Sequence, residues 1–170
     1  MILTKKFGRQ FTELHKNNGS SFGFFEDNFI GTTDQINVPQ NDNWVEFYTE
    51  NRLMYQFRLA ENNGYVKDEL KEGIKFIEKN IEKILKGSEE LPTLLHSDLW
   101  GGNYIVDQRG NTCLIDTAVY YGHREADLAL TKLFGGFNAK FYSAYNKEFP
   151  LKDGWEYREN IYKLYHILNH

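Results

Sequence analysis

The chain has 170 residues, the size of one domain or two small ones, of which 41% are hydrophobic and 16% aromatic; this is enough to bury a core and argues against a disordered polypeptide. Its net charge is −4 at pH 7, without long runs of lysine or arginine, so neither nucleic acid nor an anionic membrane is expected as its main partner. No apolar run is long enough to span a bilayer.

The N-terminal segment is predicted to form a helix followed by a long loop. Phe7, Phe11 and Leu14 have the spacing of one helix face, and the Asn-Asn-Gly sequence at 17–19 ends the helix. Residues 20–40, SSFGFFEDNFIGTTDQINVPQ, are rich in glycine, asparagine, aspartate and aromatic residues and show no sustained period. Long ordered loops of this kind often carry function.

Two further helices are predicted before residue 90. Asp42 or Asn43 can cap a helix that runs from Trp44 to about Glu61. The segment VKDELKEGIKFIEKNIEKILKG predicts a second helix that ends at Gly87, with lysine and glutamate on its solvated face. The apolar stripe of this helix consists of Leu70, Ile74, Ile77, Ile81 and Ile84.

The second half of the chain begins with short β-like runs. They lie at Leu94–His96, Tyr104–Val106 and Thr112–Ile115, and the DQRGN sequence between the last two predicts a hairpin turn. After Gly122 the segment READLALTKLF is predicted to be helical. Two more helices are expected after it, with apolar residues Phe141, Tyr142 and Tyr145 in the first and Ile161, Leu164, Tyr165 and Leu168 in the second.

The single cysteine, Cys113, cannot form an internal disulfide, and the N-terminus lacks the pattern of a secretory signal peptide. We therefore expect a cytoplasmic protein. Since Cys113 lies in an apolar, strand-like run, we predict that it is a small buried hydrophobic residue rather than a nucleophile.

A polar cluster lies in the stretch LLHSDLWGGNYIVDQRGNTCLIDTAVYYGHREADLA. Asp98 and Asn103 flank a tight loop that contains Gly101 and Gly102, and Asp116 ends the second hairpin strand. If the hairpin closes at DQRGN, the side chains of Asn103 and Asp116 converge. An amide oxygen and a carboxylate suit a hard cation such as Mg²⁺, which also binds substrate phosphate oxygens. Asp98 is then free to accept a proton.

This arrangement is what phosphoryl transfer to a hydroxyl requires. The pattern His-x-Asp-x-x-x-x-Asn with a distal Asp has the spacing of a kinase catalytic loop. Where kinases usually have Arg after the His, this chain has Ser97, and the usual Asp-Phe-Gly is Asp116-Thr117-Ala118. Each of these carboxylates alone is more often a turn residue, but their joint spacing on a strand-loop-strand frame favours the functional interpretation.

The neighbouring polar residues have competing interpretations. We expect His96 to buttress the loop by hydrogen bonding and Asp127, inside the next helix, to brace the loop backbone. Trp100 fits a core anchor and a sugar-stacking platform equally. For three residues that precede the helix, capping and ion pairing compete evenly with substrate contact: His123, Arg124 and Glu125.

The segments HSDLWGGN, LIDTAVYYGHREADLAL and LFGGF resemble the fructosamine kinase (ketosamine-3-kinase) family, a branch of the aminoglycoside-phosphotransferase-like, protein-kinase-like fold. FGFFEDNFIG, DNWVEFYTENRL and LYHILNH are similar to the same family, so the resemblance covers essentially the whole chain. It implies an α+β, mainly α fold with a small catalytic β-hairpin. Residues 1–170 would then form a single domain, the C-terminal lobe of the kinase-like fold.

The resemblance also implies the chemistry. Asp98 would be the catalytic base toward a sugar hydroxyl, and Asn103 and Asp116 would hold Mg²⁺. ATP would be the donor, and a small or protein-bound ketosamine (fructosamine or ribulosamine) the acceptor, whose phosphorylation leads to deglycation. Ser97 stands where the family usually has Gly, and Thr117 where it usually has Pro; neither departure removes a reacting group.

Family members are longer and begin with a β-rich lobe that carries a nucleotide-covering loop and a phosphate-gripping Lys. Neither feature is found before Phe7, so the chain resembles the catalytic and substrate lobe with the nucleotide-binding lobe absent. The face that would pack on that lobe invites self-association. Two alternatives stay open: a truncated, non-catalytic module that binds a ketosamine or amine, and a metal-dependent phosphoesterase that uses the same carboxylates on water.

Overall fold

The computed structural model describes residues 2–170, with side chains from residue 5 onward. The helices of this part are α1 (Ile2–His15), α2 (Trp44–Tyr48), α3 (Tyr55–Asn62), α4 (Asp68–Leu85), α5 (Arg124–Leu133), α6 (Ala139–Glu148) and α7 (Trp155–Asn169). The strands are β1 (Asn28–Ile30), β2 (Thr33–Gln35), β3 (Thr93–Leu95), β4 (Tyr104–Val106), β5 (Thr112–Leu114) and β6 (Tyr120–Gly122). The predicted α+β, mainly helical class is confirmed.

The strands pair as three separate antiparallel ribbons: β1 with β2, β3 with β6, and β4 with β5. The β4–β5 ribbon is the predicted hairpin, in register with Tyr104 opposite Leu114 and Val106 opposite Thr112. Strand β6 was not predicted, and it pairs with β3 across the polar cluster, with Leu95 opposite Tyr120. The predicted loop at 20–40 contains the short β1–β2 hairpin. The polar cluster therefore lies between two ribbons that meet near residue 116.

The predicted helix from Trp44 to about Glu61 is instead α2, a π-helical turn at Thr49–Met54, and α3. The turn buries three adjacent side chains: Arg52, Leu53 and Met54. Since residues of a regular α-helix are about 100° apart, three adjacent buried residues cover more than one apolar stripe, and the wider turn accommodates them. At the start of α2, Asn43 rather than Asp42 is the cap, since its side chain accepts hydrogen bonds from the N–H groups of the first turn.

The core of the described residues consists of three clusters: a large one under α2, α4, α5 and α7, a second one between α1 and α6, and a small third one where the π-helical turn and α3 meet α4. In the second, Phe7 and Phe11 pack against Phe141, with ring centroids 5.1 and 5.8 Å apart. The two helices approach closely because Gly8 lies in the contact: a β-carbon there would lie 2.4 Å from the Phe141 carbonyl oxygen. This contact fixes α1 beneath the polar cluster.

The prediction that Cys113 is buried was wrong. Cys113 is exposed, because the β4–β5 ribbon has only two strands and its outer face is not covered in the described residues. Opposite Cys113 on that face, Ile105 is 56% exposed. Self-association through the face that would pack on a nucleotide-binding lobe stays a prediction.

None of the helices described within residues 2–170 combines the length and the apolar character needed to cross a lipid bilayer.

The α1–α6 contact can be tested with two glycine substitutions. Gly8→Ala should destabilise the fold by about 1–3 kcal/mol through overpacking, although alanine is the better helix former. The control is Gly73→Ala in α4, where a β-carbon meets nothing within 4 Å; it should stabilise the fold by up to about 1 kcal/mol. Urea unfolding measures both free energies, and a Gly8→Ala protein as stable as Gly73→Ala would show that α1 does not pack in this way.

Candidate active site

The polar cluster is built on the HSDLWGGN loop, residues 96–103, which joins β3 to β4. Both ends of this loop are tied to the residues around Asp116. The Ala118 N–H donates to the His96 carbonyl at 2.9 Å, and the Ile115 N–H donates to the Asn103 carbonyl at 3.1 Å. Asp116 therefore lies beside the loop, as the predicted hairpin required.

The structure brings Asp98, Asn103 and Asp116 together. The side-chain amide Nδ2 of Asn103 donates to the Asp98 carboxylate at 2.9 Å and to the Asp98 carbonyl at 2.7 Å. It also lies 3.5 Å from the Asp116 carbonyl oxygen. Because these contacts use the nitrogen of the amide, the Asn103 oxygen Oδ1 is left as its potential ligand atom.

The Asn103 amide oxygen and the Asp116 carboxylate oxygens are of the kind that binds a small hard cation. The Asp116 side chain is exposed, and in residues 5–170 no side chain or N–H donates a hydrogen bond to its carboxylate. No group of three or more His, Cys, Asp or Glu residues in the described part of the chain is placed to enclose a metal. Mg²⁺ suits this sparse set, since it commonly takes one or two carboxylates and completes its shell with water and substrate phosphates.

Asp98 has the electrostatics of a proton acceptor. Its side chain is half-buried, and burial raises its pKa above the usual range; the neighbouring Asp116 carboxylate raises the pKa further, while the Asn103 hydrogen bond opposes this rise. A raised pKa brings a carboxylate closer to the range in which it can take a proton from a hydroxyl group.

Asp127 on α5 holds the loop backbone by hydrogen bonds. Its carboxylate accepts hydrogen bonds from the N–H groups of His96 and Ser97, both at 2.7 Å. His96 in turn accepts the Asp98 N–H at Nδ1, at 3.2 Å. His96 and Asp127 thus make hydrogen bonds to the loop backbone, and their role in supporting the catalytic loop stays a prediction.

The sequence interpretation missed His15, which completes this support. His15 is fully buried at the end of α1, and its Nε2 lies 3.1 Å from the Asp127 carboxylate. Its Nδ1 lies 2.7 Å from the Tyr145 hydroxyl on α6. The available signal was its position four residues after Phe11, on the apolar face of the predicted helix.

Three residues considered as substrate contacts are each less than 3% exposed: His123, Arg124 and Glu125. His123 caps α5 by accepting the Glu125 N–H, Arg124 forms a two-pronged ion pair with Glu90 at 2.7 Å, and Glu125 pairs with Arg158 at 2.6 and 2.8 Å. The sequence left two alternatives open for these residues: capping and ion pairing, or substrate contact. The hydrogen bonds that their side chains make are those of capping and ion pairing.

Trp100 is 44% exposed and is therefore not a core anchor. With Asp98, Phe134 and His170 it lines a pocket of about 220 Å³. Its ring lies over Gly102, where a β-carbon would be 2.5 Å from the ring. The second glycine of the loop thus allows an aromatic wall to stand next to the Asp98 carboxylate.

Comparison with known proteins decides the family, since the family model described as fructosamine kinase matches residues 3–170. The chain belongs to the fructosamine kinase family. A "Probable ketoamine kinase" from Synechocystis sp. is 40% identical over 167 residues, which are 97% of this chain and 55% of that protein. A chloroplastic protein-ribulosamine 3-kinase from Arabidopsis thaliana is 41% identical over 167 residues, which are 97% of this chain and 50% of that protein.

Solved structures agree with the family and with the kinase-like fold. A crystal structure from Thermobifida fusca, provisionally named a fructosamine-3-kinase, matches with a TM-score of 0.87 at 34% identity, over 98% of this chain and 57% of that one. One from Haemophilus somnus, named in the same way, matches with a TM-score of 0.86 at 30% identity. The chain spans about half the length of the curated relatives that it matches.

Two residues of the site have left-handed backbone, which non-glycine residues rarely adopt. Ser97 has φ of 63° and Asp116 has φ of 54°. By the resemblance, the fructosamine kinase family usually has Gly at the position of Ser97. The positive φ at this position favours glycine. Strained positions of this kind persist when surrounding contacts hold the backbone in place. At Ser97 this contact is the hydrogen bond from its N–H to the Asp127 carboxylate.

The strain at Ser97 predicts the effect of restoring glycine. Ser97→Gly should stabilise the fold by about 1 kcal/mol, because glycine adopts positive φ without a steric penalty. The matched control is Ser143→Gly on the exposed side of α6, which should destabilise the fold by up to about 1 kcal/mol. Thermal and urea unfolding give both values; equal losses in the two variants would contradict a left-handed Ser97.

The raised pKa of Asp98 predicts a pH-dependent stability. Since the folded pKa lies above the unfolded one, stability is greatest when Asp98 is protonated and is lost as the pH rises through the folded pKa. Asp98→Asn should therefore raise the melting temperature at pH 7 and leave it unchanged at about pH 3, where Asp98 is protonated in both states.

Asp107 provides a control of opposite sign. Hydrogen bonds from the Asn111 side chain and backbone lower the pKa of Asp107, so Asp107→Asn should lower the melting temperature at pH 7. Melting curves of both variants across this pH range test the assignment. A fall in melting temperature for Asp98→Asn at pH 7 would contradict a raised pKa at Asp98.

Proposed function

We propose that this chain is the catalytic and substrate-binding lobe of an ATP-dependent kinase that phosphorylates a sugar hydroxyl of a ketosamine, either a fructosamine or a ribulosamine. The family supports the reaction class, and the names of the relatives support the acceptor class. The observation that carries the proposal is a half-buried carboxylate, Asp98, in the wall of a pocket and hydrogen-bonded to Asn103 beside Asp116.

In this proposal Asp98 accepts the proton of the sugar hydroxyl as the oxygen attacks the γ-phosphorus of ATP. The new bond joins the sugar oxygen to the phosphoryl group, and the bond to the β-phosphate oxygen breaks to release ADP. Asn103 and Asp116 would hold Mg²⁺, which neutralises charge on the phosphates when bound. Trp100 and Phe134 supply apolar walls against which a sugar ring can lie.

The hydrogen bond from Asn103 to Asp98 connects the two functions. It orients the Asp98 carboxylate, and it turns the Asn103 oxygen Oδ1 away from Asp98. One amide therefore positions the proton acceptor through its nitrogen and offers a cation ligand through its oxygen. In the full reaction, release of the amine from the phosphorylated ketosamine would give the deglycation that the resemblance implies.

The relatives are about twice as long as this chain, which supports a division of labour. We propose that most contacts to the nucleotide lie in a second lobe and that the present chain supplies the base, the cation ligands and the sugar pocket. The binding-module alternative shares the pocket but not the proton transfer, and the phosphoesterase alternative replaces the sugar hydroxyl by water.

The test is Mg²⁺-dependent ADP release from ATP by the 170-residue chain, with fructose-lysine or ribulose-lysine as acceptor. Slow, acceptor-dependent turnover is expected, and Asp98→Asn should reduce it by about 10²–10⁴-fold, since it removes the proton acceptor. The matched control is Asp68→Asn, an exposed carboxylate in the first turn of α4, which should leave the rate unchanged.

Other outcomes separate the alternatives. Full activity in Asp98→Asn would show that Asp98 is not the base. Calorimetric binding of the ketosamine without ADP release would favour the binding module. Phosphate release from ATP without an acceptor would favour the phosphoesterase.

A further inference from the structure

The backbone after Asp116 is held by two side-chain amides of the β1–β2 hairpin. Gln35 donates from Nε2 to the Ala118 carbonyl at 2.8 Å, and Asn28 donates from Nδ2 to the Val119 carbonyl at 2.7 Å. On the other side, the Ala118 N–H donates to the HSDLWGGN loop. The segment that carries Asp116 is therefore hydrogen-bonded from both sides.

The two amides are themselves fixed in orientation. The Asn28 oxygen Oδ1 accepts from Gln35 at 2.8 Å and from Asn37 at 3.0 Å. The Gln35 oxygen Oε1 accepts the Tyr165 hydroxyl of α7 at 3.0 Å. Since each amide oxygen already accepts a hydrogen bond, each amide nitrogen must point at the backbone carbonyl that follows Asp116.

A buried arginine anchors this network. Arg52, in the π-helical turn, is fully buried and donates to the Asn37 side chain at 2.7 Å and to the Ile36 carbonyl at 2.5 Å. Its guanidinium also lies 3.9 Å from the ring centroid of Tyr120, immediately after Val119 in the chain. Charge-assisted hydrogen bonds and a desolvated cation–π contact are among the stronger polar interactions in proteins. The Arg52 side chain thus connects the hairpin with the segment after Asp116.

This arrangement matters because it adds two restraints on the C-terminal side of Asp116 to the hydrogen bonds that tie Ile115 and Ala118 to the HSDLWGGN loop. Its side chain is exposed, and its backbone is in the left-handed region, which is uncommon for residues other than glycine, although aspartate is among those that adopt it most readily. The two carbonyls held by the hairpin lie two and three residues after Asp116. Holding them restricts the backbone torsions that follow Asp116, whose carbonyl oxygen lies 3.5 Å from the Asn103 side chain.

We propose that Asn28 and Gln35 are positioning residues for the cation ligand Asp116, and that the β1–β2 hairpin serves this purpose in the fold. The inference rests on the proposed function, in which Asp116 holds a divalent cation. Substitution of residues that orient a metal ligand without binding the metal commonly changes metal affinity or activity by about 10–100-fold. The long loop at 20–40 would thus act on the reaction without contacting substrate.

The test uses Mn²⁺ alone as the probe and the 170-residue chain. Binding is followed by the paramagnetic broadening of the Asn103 side-chain amide signal in NMR spectra. Gln35→Met is nearly isosteric and removes the hydrogen bond to Ala118, and it should raise the apparent Kd for Mn²⁺ by about 10-fold. Asn28→Ala, at a less buried position, provides a second variant and should act in the same direction.

Two further measurements separate positioning from general destabilisation. Gln56→Met removes a buried glutamine that donates to Asn169 on α7 and makes no hydrogen bond to Asn28, Gln35 or the backbone after Asp116, so it should leave the Kd for Mn²⁺ within about 2-fold, below the range of a positioning residue. Hydrogen exchange of the Ala118 amide should accelerate in the Gln35 and Asn28 variants and not in the Gln56 variant.

The outcomes distinguish this inference from the proposed function. Unchanged Mn²⁺ affinity and unchanged Ala118 exchange in both hairpin variants would overturn the positioning role. If the unmodified chain does not bind Mn²⁺ near Asn103, the cation assignment of Asp116 fails, and the positioning role fails with it. In that case the exchange rates still show whether the hairpin holds the Ala118 backbone. Mn²⁺ binding that is lost in Asp116→Asn and weakened in the hairpin variants would support both the cation assignment of Asp116 and the positioning role of the hairpin.

Discussion

The rest of the site depends on the buried carboxylate of Asp127. Burial alone would raise its pKa, but the hydrogen bond from His15 and the His96 N–H, together with the nearby His96 ring, lower it below the usual range. The ionised group therefore holds two consecutive loop N–H groups by charge-assisted hydrogen bonds, which are about twice as strong as neutral ones. These hydrogen bonds hold Ser97 in its left-handed conformation and fix the backbone that carries Asp98.

The site contains residues in unfavourable conformations that are held in place by several hydrogen bonds. Ser97 and Asp116 have unfavourable backbone conformations, and Asp98 is ionised less readily than a free carboxylate. Each of these features reduces the stability of the fold, and each is offset by buried groups with paired hydrogen bonds in α1, α5 and the β1–β2 hairpin. A proton acceptor and a cation ligand are thus held on a surface whose support lies in the core.

Much of this could be predicted from the sequence because it depends on local spacing. The four residues between Asp98 and Asn103, and the hairpin between Asn103 and Asp116, determine which side chains converge, since a two-stranded ribbon has a fixed register. The helices were predicted where an apolar stripe was regular, as in α4 and α7. The prediction for Cys113 was wrong because apolar character does not show which face of a ribbon is covered.

The sequence by itself determined the family, the mainly helical α+β class and the convergence of Asp98, Asn103 and Asp116, because motifs and short hairpins are encoded by neighbours in the chain. Only the tertiary structure decided which distant residues complete the support of the site. His15 meets Asp127 across 112 residues, and Gln35 meets Ala118 across 83. Contacts at such separations depend on how helices and ribbons pack, and a buried side-chain amide or imidazole has no periodic pattern that reveals its partner before the chain is folded.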